Sequence, residues 1–501
     1  MTRELHRDFD YQQAHQAVYD LRSAIAYLKQ FPDQVLETSE PVDPVAELSG
    51  VYRHIGAGGT TARPTKTGPM MVFNEVIGHP DARVAIGVVG SRQRLGYLLG
   101  AAPDQLGQQM CRALQNPLPP VMVPKGSAVC QQVVHLATDP GFDLGKLLPA
   151  PTNTSEDAGP FITMGLVYAA DPETGAENVT IHRQCIQSRD ELSIFFAPGR
   201  HIDAFRAKSE ARGKPLPVSV SIGVDPAIYC ASCFEPPATP IGFNELEIAG
   251  SLRSRPVELT QCVTSSAKAV ADAEIVIEGE IVPDARVVED QNSGTGKAMP
   301  EFPGYTGEAN PSLPVIKVKA VTHRFQPICQ TTIGSSEEHV SLAGIPTEAS
   351  ILAALEAAMP GRVNNVYAHS AGGGKLLAVI QFHKRVQGDQ GLERQAALCA
   401  FAAFRELKTV ILVDHDVDIF DSNDVLWELT TRHQSDVDTI VIPGVKCHVL
   451  DPSQSPAISP SILHHGLSCK TIYDCTVPFS QQHKFQRSDF MEVDYERFLR
   501  G

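Results

Sequence analysis

The sequence lacks features that would place the protein in several common classes. It has no run of about eighteen apolar residues, so no segment is expected to cross a membrane. The N-terminus (MTRELHRDFDYQQ) is polar and lacks the apolar stretch of a secretory signal, which favours a cytoplasmic protein. Positive charge is scarce, with 42 Lys and Arg against 58 Asp and Glu. The net charge of −16 argues against non-specific binding to nucleic acids and against docking on anionic membranes.

Familiar motifs for nucleotides, nucleophiles and zinc are also missing. No GxxxxGK[ST] loop and no GxSxG elbow occur. The glycines of HIGAGGT (54–60) and AHSAGGGK (368–375) are expected to form turns, although the second loop could approach a phosphate. The 11 cysteines are odd in number and scattered, which predicts reduced thiols. Cys230 and Cys233 have no second pair or nearby histidine, so a core role is expected for them.

The pattern of apolar runs, turns and prolines along the 501 residues predicts a mixed α/β protein of three parts. Residues 1–116 read as an N-terminal α/β region, with an opening helix near 20–29, strands in MMVFNEV and ARVAIGVVG, and a helix in RQRLGYLLG. Residues 117–335 show short strands separated by turns and prolines, which indicates a β-barrel-like or sandwich-like domain. Residues 336–501 predict a βαβ-like C-terminal unit, with a helix in TEASILAALEAAM and a loop-rich end that packs across another domain or subunit.

Two carboxylates, Glu289 and Glu301, lie at the ends of a segment rich in glycine and proline that runs to Tyr305. Such a segment is expected to be irregular, because glycine and proline disfavour helices and central strands. Long irregular segments within compact domains are often functional. A carboxylate held there could therefore act as a general acid or base.

Other polar residues of the middle region could also carry chemistry. In NVTIHR the two-residue period places Val179, Ile181 and Arg183 on one face and Asn178, Thr180 and His182 on the other. An arginine on an apolar strand face needs an anion, which could be Glu289, Glu301 or a substrate carboxylate. His201 follows a turn, and Glu245 and Glu247 are expected on one face of a strand. For each of these residues an ordinary structural role is the alternative. The acidic group Asp414, Asp416 and Asp418 could bind a cation, but a solvated strand end or a capping role is expected.

The order of these residues resembles the UbiD-type decarboxylases, a family that uses prenylated FMN. The resemblance extends over nearly the whole chain and rests on Asn178-x-x-x-x-Arg183, then His201, then Glu245-x-x-x-Ala249-Gly250, then the two carboxylates before Gly304-Tyr305. Within the family the chain looks most like the protocatechuate and gallate decarboxylases. The segments that carry this likeness include VDPVAELSGVYRHIGAGGT, LLPAPTNT, DAGPF, SRDELS, MPEFPGY, NPSLPVIKVKAVT, LAGIPTEAS and SCKTIYDCTVP. The carboxylates lie farther apart than in many relatives, and the resemblance to the phenolic-acid branch implies that this branch shares the longer loop.

The resemblance implies a role for each matched residue. Asn178, His201 and Glu245 would bind Mn²⁺ or Mg²⁺, with Glu247 as the rival for the third position, and K⁺ is a further expected ion. Arg183, Glu289 and Glu301 would form the catalytic network, with Glu301 as the proton donor. The expected cofactor contacts are Asn178, Val179, Thr180, Ile181, His182, Arg183, Arg200, His201, Glu245 and Lys408. For Lys408, a helix C-terminal lysine that complements the helix dipole is the open alternative.

The resemblance also implies a fold and a function. The fold would be mixed α+β, with a central split β-barrel-like flavin-binding domain between the N-terminal α/β unit and a C-terminal α/β oligomerisation domain. The function would be reversible decarboxylation of an aromatic acid such as protocatechuate or gallate. A flavin prenyltransferase would supply the cofactor, and the protein would form a homo-oligomer, either a dimer or a hexamer. Decarboxylation of another (hetero)aromatic acid, an oxidoreductase that uses ordinary FMN, and a non-catalytic scaffold are the alternatives.

Overall fold

Five β-sheets and the helices that cover them form the protein, which the computed structural model describes for residues 17–197 and 199–499. The polar N-terminal segment discussed above (residues 1–13) lies outside these residues. The architecture is mixed α+β, as predicted. For description, we divide it into an N-terminal unit (17–116), a central unit (117–335) and a C-terminal unit (336–499).

The N-terminal unit contains the predicted opening helix and both predicted strands. Asp20 starts the helix, because its side chain accepts a hydrogen bond from the backbone N–H of Ser23, and Leu21, Ile25 and Leu28 bury its apolar face. The elements are α1 (Leu21–Leu28), β1 (Val35–Thr38), α2 (Glu47–Ile55), β2 (Met70–Phe73), β3 (Arg83–Ile86), α3 (Arg92–Leu99) and α4 (Leu106–Gln115).

The central unit is built on a nine-stranded sheet. The elements are β4 (Val121–Met122), β5 (Val133–Leu136), α5 (Leu144–Leu147), β6 (Phe161–Ile162), β7 (Leu166–Ala170), β8 (Glu177–Ile181), β9 (Gln184–Ser188), β10 (Glu191–Ile194), α6 (His201–Glu210), β11 (Leu216–Ile222), α7 (Pro226–Ala231), α8 (Leu246–Arg253), β12 (Glu258–Gln261), β13 (Lys268–Val270), β14 (Ile275–Val287), β15 (Lys297–Pro300), β16 (Thr306–Glu308), β17 (Leu313–His323) and β18 (Ile328–Thr331). The strand order is β6-β9-β10-β17-β14-β11-β7-β8, with β5 paired to β17. The sheet is therefore barrel-like but open, since no pairing among the described residues joins β6 to β8.

The central unit is tied closely to the N-terminal unit. Strand β18 belongs to the central unit in sequence, but it pairs in parallel with β3. It therefore completes the four-stranded N-terminal sheet. The two units also share one apolar core, which includes Leu98 of α3 and Ala249 of α8. Ile345 and Ala349, from the first helix of the C-terminal unit, belong to the same core.

The C-terminal unit has the predicted parallel β-α-β arrangement. The elements are α9 (Glu337–Ala358), β19 (Val363–Ala368), β20 (Leu377–Phe382), α10 (Leu392–Ala403), β21 (Thr409–Asp414), α11 (Ser422–Thr431), α12 (Ser435–Asp438), β22 (Thr439–Lys446), β23 (Leu467–Asp474) and α13 (Glu496–Leu499). The sheet order is β19-β20-β21-β23-β22. Within the part of the chain that the structure describes, α9 is the one helix long and apolar enough to cross a membrane, and 72% of its most apolar window is buried inside the protein.

Four expectations from the sequence were wrong in detail. Helix α9 begins at Glu337 and continues through Pro346, because its burial outweighs the cost of an internal proline. The segment containing Glu245 and Glu247 is the start of α8 rather than a strand. The segment from Glu289 to Tyr305 is partly regular, since β15 pairs with β16. The end of the chain supplies β23, an inner strand whose polar side chains are buried, which hid it from a search for apolar alternation.

Candidate active site

A cavity with about 1130 Å³ of empty space, partly open to solvent, lies between the central and C-terminal units. Residues 180–183 at the end of β8 and Glu301 after β15 form its central wall. His339 of α9, Lys375 before β20 and residues 448–450 form the part of the lining that the C-terminal unit supplies. The cavity lies where two units meet, which is a frequent position for small-molecule sites.

Arg183, which lines this cavity, binds both predicted carboxylates. Its Nε and one terminal nitrogen donate to the two oxygens of Glu289, each at 2.9 Å, and its other terminal nitrogen donates to Glu301. Glu289 also accepts a hydrogen bond from the backbone N–H of Asn310 at 2.9 Å. The ring of Phe195 lies under the guanidinium, 4.3 Å from ring centre to Cζ. The arginine is therefore held in one position by two carboxylates and an aromatic face.

The two carboxylates differ in their surroundings. Glu289 is bound at both oxygens by Arg183, whereas Glu301 receives a single hydrogen bond from it. Burial raises the pKa of Glu301, and the charge of Glu289 raises it further, while Arg183 lowers it. The net result is a pKa above the usual range for a glutamate. Glu301 is thus the carboxyl better able to hold and donate a proton.

Local backbone geometry brings these groups together. Strand β8 ends at Ile181, so the expected alternation stops there, and Thr180, Ile181, His182 and Arg183 all line the cavity. Glu301 is held in a tight turn, in which its N–H donates to Tyr305 and its carbonyl accepts from Gly304. Gly304 has a φ of +90°, which glycine adopts readily.

Asn178, His201 and Glu245 meet in a buried cluster, although they are distant in sequence. The amide nitrogen of Asn178 donates to the two oxygens of Glu245 at 3.0 and 2.9 Å and lies 3.3 Å from Nδ1 of His201. Asn178 comes from β8, His201 begins α6 and Glu245 is the N-cap residue of α8. The three side chains are 3%, 8% and 3% exposed, so their polar atoms face one another rather than water.

The chemistry of this cluster fits a divalent cation. A carboxylate, an imidazole and an amide oxygen suit Mn²⁺ or Mg²⁺, with other oxygens completing the shell. Burial raises the pKa of Glu245 to about 8, because little water reaches the carboxylate to solvate its charge. The rival Glu247 is the second residue of the helix, and its carbonyl accepts a hydrogen bond from the N–H of Leu118. The structure thus brings Glu245, and not Glu247, to Asn178.

Most of the predicted cofactor contacts lie around the same cavity. Val179 donates its N–H toward Glu245 at 3.5 Å, and residues 180–183 and Arg200 line the cavity wall. His182 is buried, and its Nε2 has no partner among the described residues. Burial, together with the charge of Arg200, lowers the pKa of His182 to about 3, so the ring is a neutral group available to a ligand.

Lys408 lies elsewhere. Its Nζ forms an ion pair with Asp451 at 2.7 Å and donates to Ser453 at 2.6 Å, and it is not among the residues that line the cavity. It precedes β21, whereas Leu450 of the neighbouring segment does line the cavity. The predicted cofactor contact at Lys408 thus stays a prediction.

Four further polar residues line the cavity without any sequence motif that marks them. Glu235 accepts hydrogen bonds from Arg200 and Lys375. The ring centres of His339 and His448 lie 5.9 and 4.6 Å from that of Phe302. Burial lowers the pKa of His339 to about 3 and that of His448 to about 4, so both rings are neutral. The glycine-rich loop before Lys375 is a turn between β19 and β20, as expected, yet it places that lysine in the cavity.

Other candidate groups have structural partners. Arg432 pairs with Asp414, Asp416 and Glu428, so a cation of the chain itself lies among these carboxylates. All 11 cysteines are free thiols, as predicted, which includes Cys230 and Cys233. The Arg432 cluster lies outside the cavity lining, whereas Cys233 lines the cavity as a neutral thiol, because burial raises its pKa to about 11.

Comparisons with known proteins agree with this geometry. Three family models match in order: the N-terminal domain of 3-octaprenyl-4-hydroxybenzoate carboxy-lyase at residues 27–114, its Rift-related domain at 121–337 and its C-terminal domain at 340–475. The chain is 52% identical over 485 residues to a gallate decarboxylase of Lactiplantibacillus plantarum, covering 96% of this chain and 99% of the relative.

Two solved structures show the same fold over nearly the full length. The first is an apo 3,4-dihydroxybenzoic acid decarboxylase from Enterobacter cloacae, with a TM-score of 0.93, 59% identity and coverage of 96% of this chain and 99% of that one. The second is an evolved dimeric form of the UbiD-class enzyme HmfF from Pelotomaculum thermopropionicum in complex with prenylated FMN, with a TM-score of 0.81, 32% identity and coverage of 95% and 98%. The resemblance predicted from the sequence is confirmed. The chain belongs to the UbiD family of carboxy-lyases.

Proposed function

We propose that the protein catalyses the reversible, non-oxidative decarboxylation of a hydroxylated benzoic acid, with protocatechuate and gallate as the leading substrates. The observation that carries this proposal is the buried network of Arg183, Glu289 and Glu301 in a cavity next to the cluster of Asn178 and His201. The relatives named as gallate and 3,4-dihydroxybenzoic acid decarboxylases support the substrate class.

Each of the main cavity residues is assigned one role in the proposed reaction. Prenylated FMN, when bound, supplies the electron sink that the loss of CO₂ from an aromatic ring requires. Arg183 orients the substrate carboxylate, since its guanidinium is fixed in place by Glu289. Glu301 donates a proton to the ring carbon that has lost CO₂, which its raised pKa favours. The surrounding apolar wall, which includes Met299 and Leu342, restricts the access of water.

The lining that the C-terminal unit supplies suits ring hydroxyl groups. Lys375 is a cationic donor there, and His339 and His448 are neutral rings that can each donate or accept a hydrogen bond. A benzoic acid held by its carboxylate at Arg183 would present hydroxyl groups at the far end of its ring. We therefore assign these three side chains to substrate recognition.

The cofactor is proposed to bind on the central unit. Asn178, His201 and Glu245 would hold Mn²⁺ or Mg²⁺ against the flavin phosphate, with K⁺ as a further ion. Residues 179–183, Arg200 and Lys408 are the proposed flavin contacts, and a flavin prenyltransferase is the proposed supplier. The solved relative with bound prenylated FMN supports the choice of cofactor.

We also propose the organisation of the functional protein. The chain would divide into domains at 1–116, 117–335 and 336–501, the second binding the flavin and the third mediating assembly into a homo-oligomer, either a dimer or a hexamer. The excess of acidic over basic residues favours a protein that binds neither nucleic acid nor anionic membranes, and the location that we propose is the cytoplasm.

The decisive experiment co-expresses the protein with a flavin prenyltransferase and measures CO₂ release from a panel of aromatic acids. Protocatechuate and gallate should release CO₂, because a para-hydroxyl group can push electrons toward the carbon that bears the carboxylate. Benzoate, the matched acid without a hydroxyl group, should not. Release from heteroaromatic acids alone would contradict the substrate class, and no release from any acid would contradict decarboxylation.

An oxidoreductase that uses ordinary FMN is the principal alternative. The absorption spectrum and the mass of the bound flavin distinguish it, because the prenyl group changes both. A non-catalytic scaffold is disfavoured by the three buried charged side chains of the Arg183 network, which are costly to keep without a function.

A further inference from the structure

Glu235 joins two cations that reach the cavity from different units of the protein. One of its carboxylate oxygens, Oε1, accepts a hydrogen bond from Arg200 at 2.7 Å and another from Lys375 at 2.8 Å. Arg200 precedes α6 in the central unit, whereas Lys375 precedes β20 in the C-terminal unit. All three side chains line the cavity. A single oxygen atom thus fixes the separation between a cation on one wall and a cation on the other.

Lys375 does not depend on Glu235 alone for neutralisation. Its Nζ also donates to Oε2 of Glu406 at 2.8 Å and lies 5.4 Å from the ring centre of Phe404. The titratable or charged groups that face it are Glu235, Glu406, Arg200, Cys233, His339 and His448. Because Glu406 already pairs with the lysine, the additional contact with Glu235 constrains its position.

The ammonium group of Lys375 is charged at neutral pH. Burial lowers the pKa of Lys375, but the two carboxylates outweigh burial, so the pKa lies above its usual value. A buried cation with two anionic partners loses little freedom when a ligand arrives, which is the advantage of a preorganised donor. Lys375 therefore lines the cavity as a charged hydrogen-bond donor that is fixed in position.

We propose that Glu235 is a positioning residue of the reaction, which holds Lys375 at a set distance from Arg200 and so places the ammonium group against the aromatic acid in the cavity. This inference rests on the proposed function. It assigns to Glu235 no contact with the reacting atoms. Its effect on the substrate passes through Lys375.

Two variants of Glu235 separate charge from position. Glu235→Asp keeps the charge but shortens the side chain, so it cannot reach both cations. Glu235→Gln keeps the length but removes the charge. The readout is catechol binding to FMN-loaded protein, followed by flavin absorbance from neutral to alkaline pH, because FMN without the prenyl group gives no turnover. Catechol itself ionises equally in the experiments with all variants, so a difference in pH dependence between variants comes from the protein.

We expect Glu235→Asp to bind catechol about tenfold more weakly than the wild type, which is the size expected for a lost hydrogen bond to a charged group. The pH above which catechol binding is lost, here called the alkaline limit, should be the same as in the wild type. Glu235→Gln should weaken binding to a similar degree and also move the alkaline limit to lower pH, because Lys375 loses one of the two carboxylates that raise its pKa.

Glu406→Gln is the matched control. Glu406 touches Lys375 at the same distance as Glu235 but lies outside the cavity wall that the described residues form. This variant should also move the alkaline limit to lower pH, while its affinity for catechol at pH 7 stays within about twofold of the wild type, since the contact with Glu235 still sets the position of the lysine.

The outcomes separate this inference from the proposed function. Wild-type affinity in Glu235→Asp, or an equal loss of affinity in Glu406→Gln, overturns the positioning role and leaves the proposed function intact. Failure of the wild type to bind catechol overturns both. If Glu235→Gln does not fold, Glu235→Asp and Glu406→Gln carry the comparison, because Glu235→Asp retains the charge.

Discussion

At the scale of single residues, the Arg183 network shows how one arginine makes two like carboxylates unequal. Glu289 takes two of the three hydrogen bonds, and Glu301 takes one. Glu301 also lines the cavity. A carboxyl that is buried, near a second anion and only partly compensated is the kind of group that enzymes use as a proton donor.

The variant Glu301→Gln tests that role. The amide keeps the size and the hydrogen bond to Arg183 but has no acidic proton, so we expect turnover to fall by about 10³-fold or more. Bound flavin should remain at the wild-type level. CO₂ release in the loaded enzyme is the measurement, with Glu308→Gln, an exposed glutamate on the neighbouring β16, as the control. Near-normal decarboxylation by Glu301→Gln would exclude it as the donor.

The metal cluster offers a second comparison at this scale, because two glutamates of one segment compete for one role. Glu245→Gln should lower both divalent-metal content and flavin occupancy by about 10- to 100-fold in affinity, as expected for the loss of a ligand or of its supporting contacts. Glu247→Gln should retain both. Elemental analysis and flavin absorbance per chain are the measurements. Full occupancy in Glu245→Gln would contradict the proposed site, and a loss confined to Glu247→Gln would move the ligand there.

At the scale of elements, the sequence predicted what periodicity controls. The apolar spacing of α1 and the apolar runs of β20 and β21 marked those elements correctly, because local pattern and burial agree there. Strand β23 was missed since Lys470 and Asp474 lie on its buried face, where tertiary partners compensate them. The start of α9 was missed because packing overrides the proline.

The candidate site was predictable only through the family resemblance. Arg183 is separated by 106 residues from Glu289 and by 118 from Glu301, and no local pattern encodes that contact. Glu235 was not found, and Lys375 was named only as the end of a glycine-rich loop that was expected to form a turn, because the contact between them joins residues that are 140 apart. Their convergence follows from the packing of two units, which spacing along the chain cannot show.

Gly334 shows how one element supports the site. A β-carbon there would lie 2.1 Å from the carbonyl oxygen of Pro300, the residue before Glu301. Gly334→Ala should therefore displace the end of β15, destabilise the protein by about 1 to 3 kcal/mol and lower turnover at least tenfold. Denaturation curves and CO₂ release are the measurements. Gly388→Ala, where the added carbon meets nothing within 4 Å, is the control. Equal turnover in the two variants would show that this packing does not position Glu301.

At the scale of the whole molecule, α9 joins the units that enclose the cavity. Its N-terminal part supplies His339 to the cavity wall, and Ile345 packs in the core shared by the other two units. Farther along, Glu348 accepts two hydrogen bonds from Arg92 of α3 at 2.7 and 3.1 Å. The guanidinium of Arg92 also lies 4.6 Å from the ring centre of Phe420 in the C-terminal unit. The closure of the cavity thus depends on contacts made far from it.

Arg92→Met tests this dependence. Glu348 is 1% exposed, and removing its partner leaves a buried carboxylate, so we expect a loss of about 3 to 5 kcal/mol. Lys29→Gln, which breaks the exposed pair with Glu37, should cost less than about 1 kcal/mol. Trp427 is the single tryptophan and lies in the C-terminal unit, so its fluorescence reports on that unit while circular dichroism reports on the whole chain. We expect urea to shift the Trp427 transition of Arg92→Met to lower concentration by at least as much as the circular dichroism transition. An unshifted Trp427 transition would mean that the C-terminal unit is held to α9 without this ion pair.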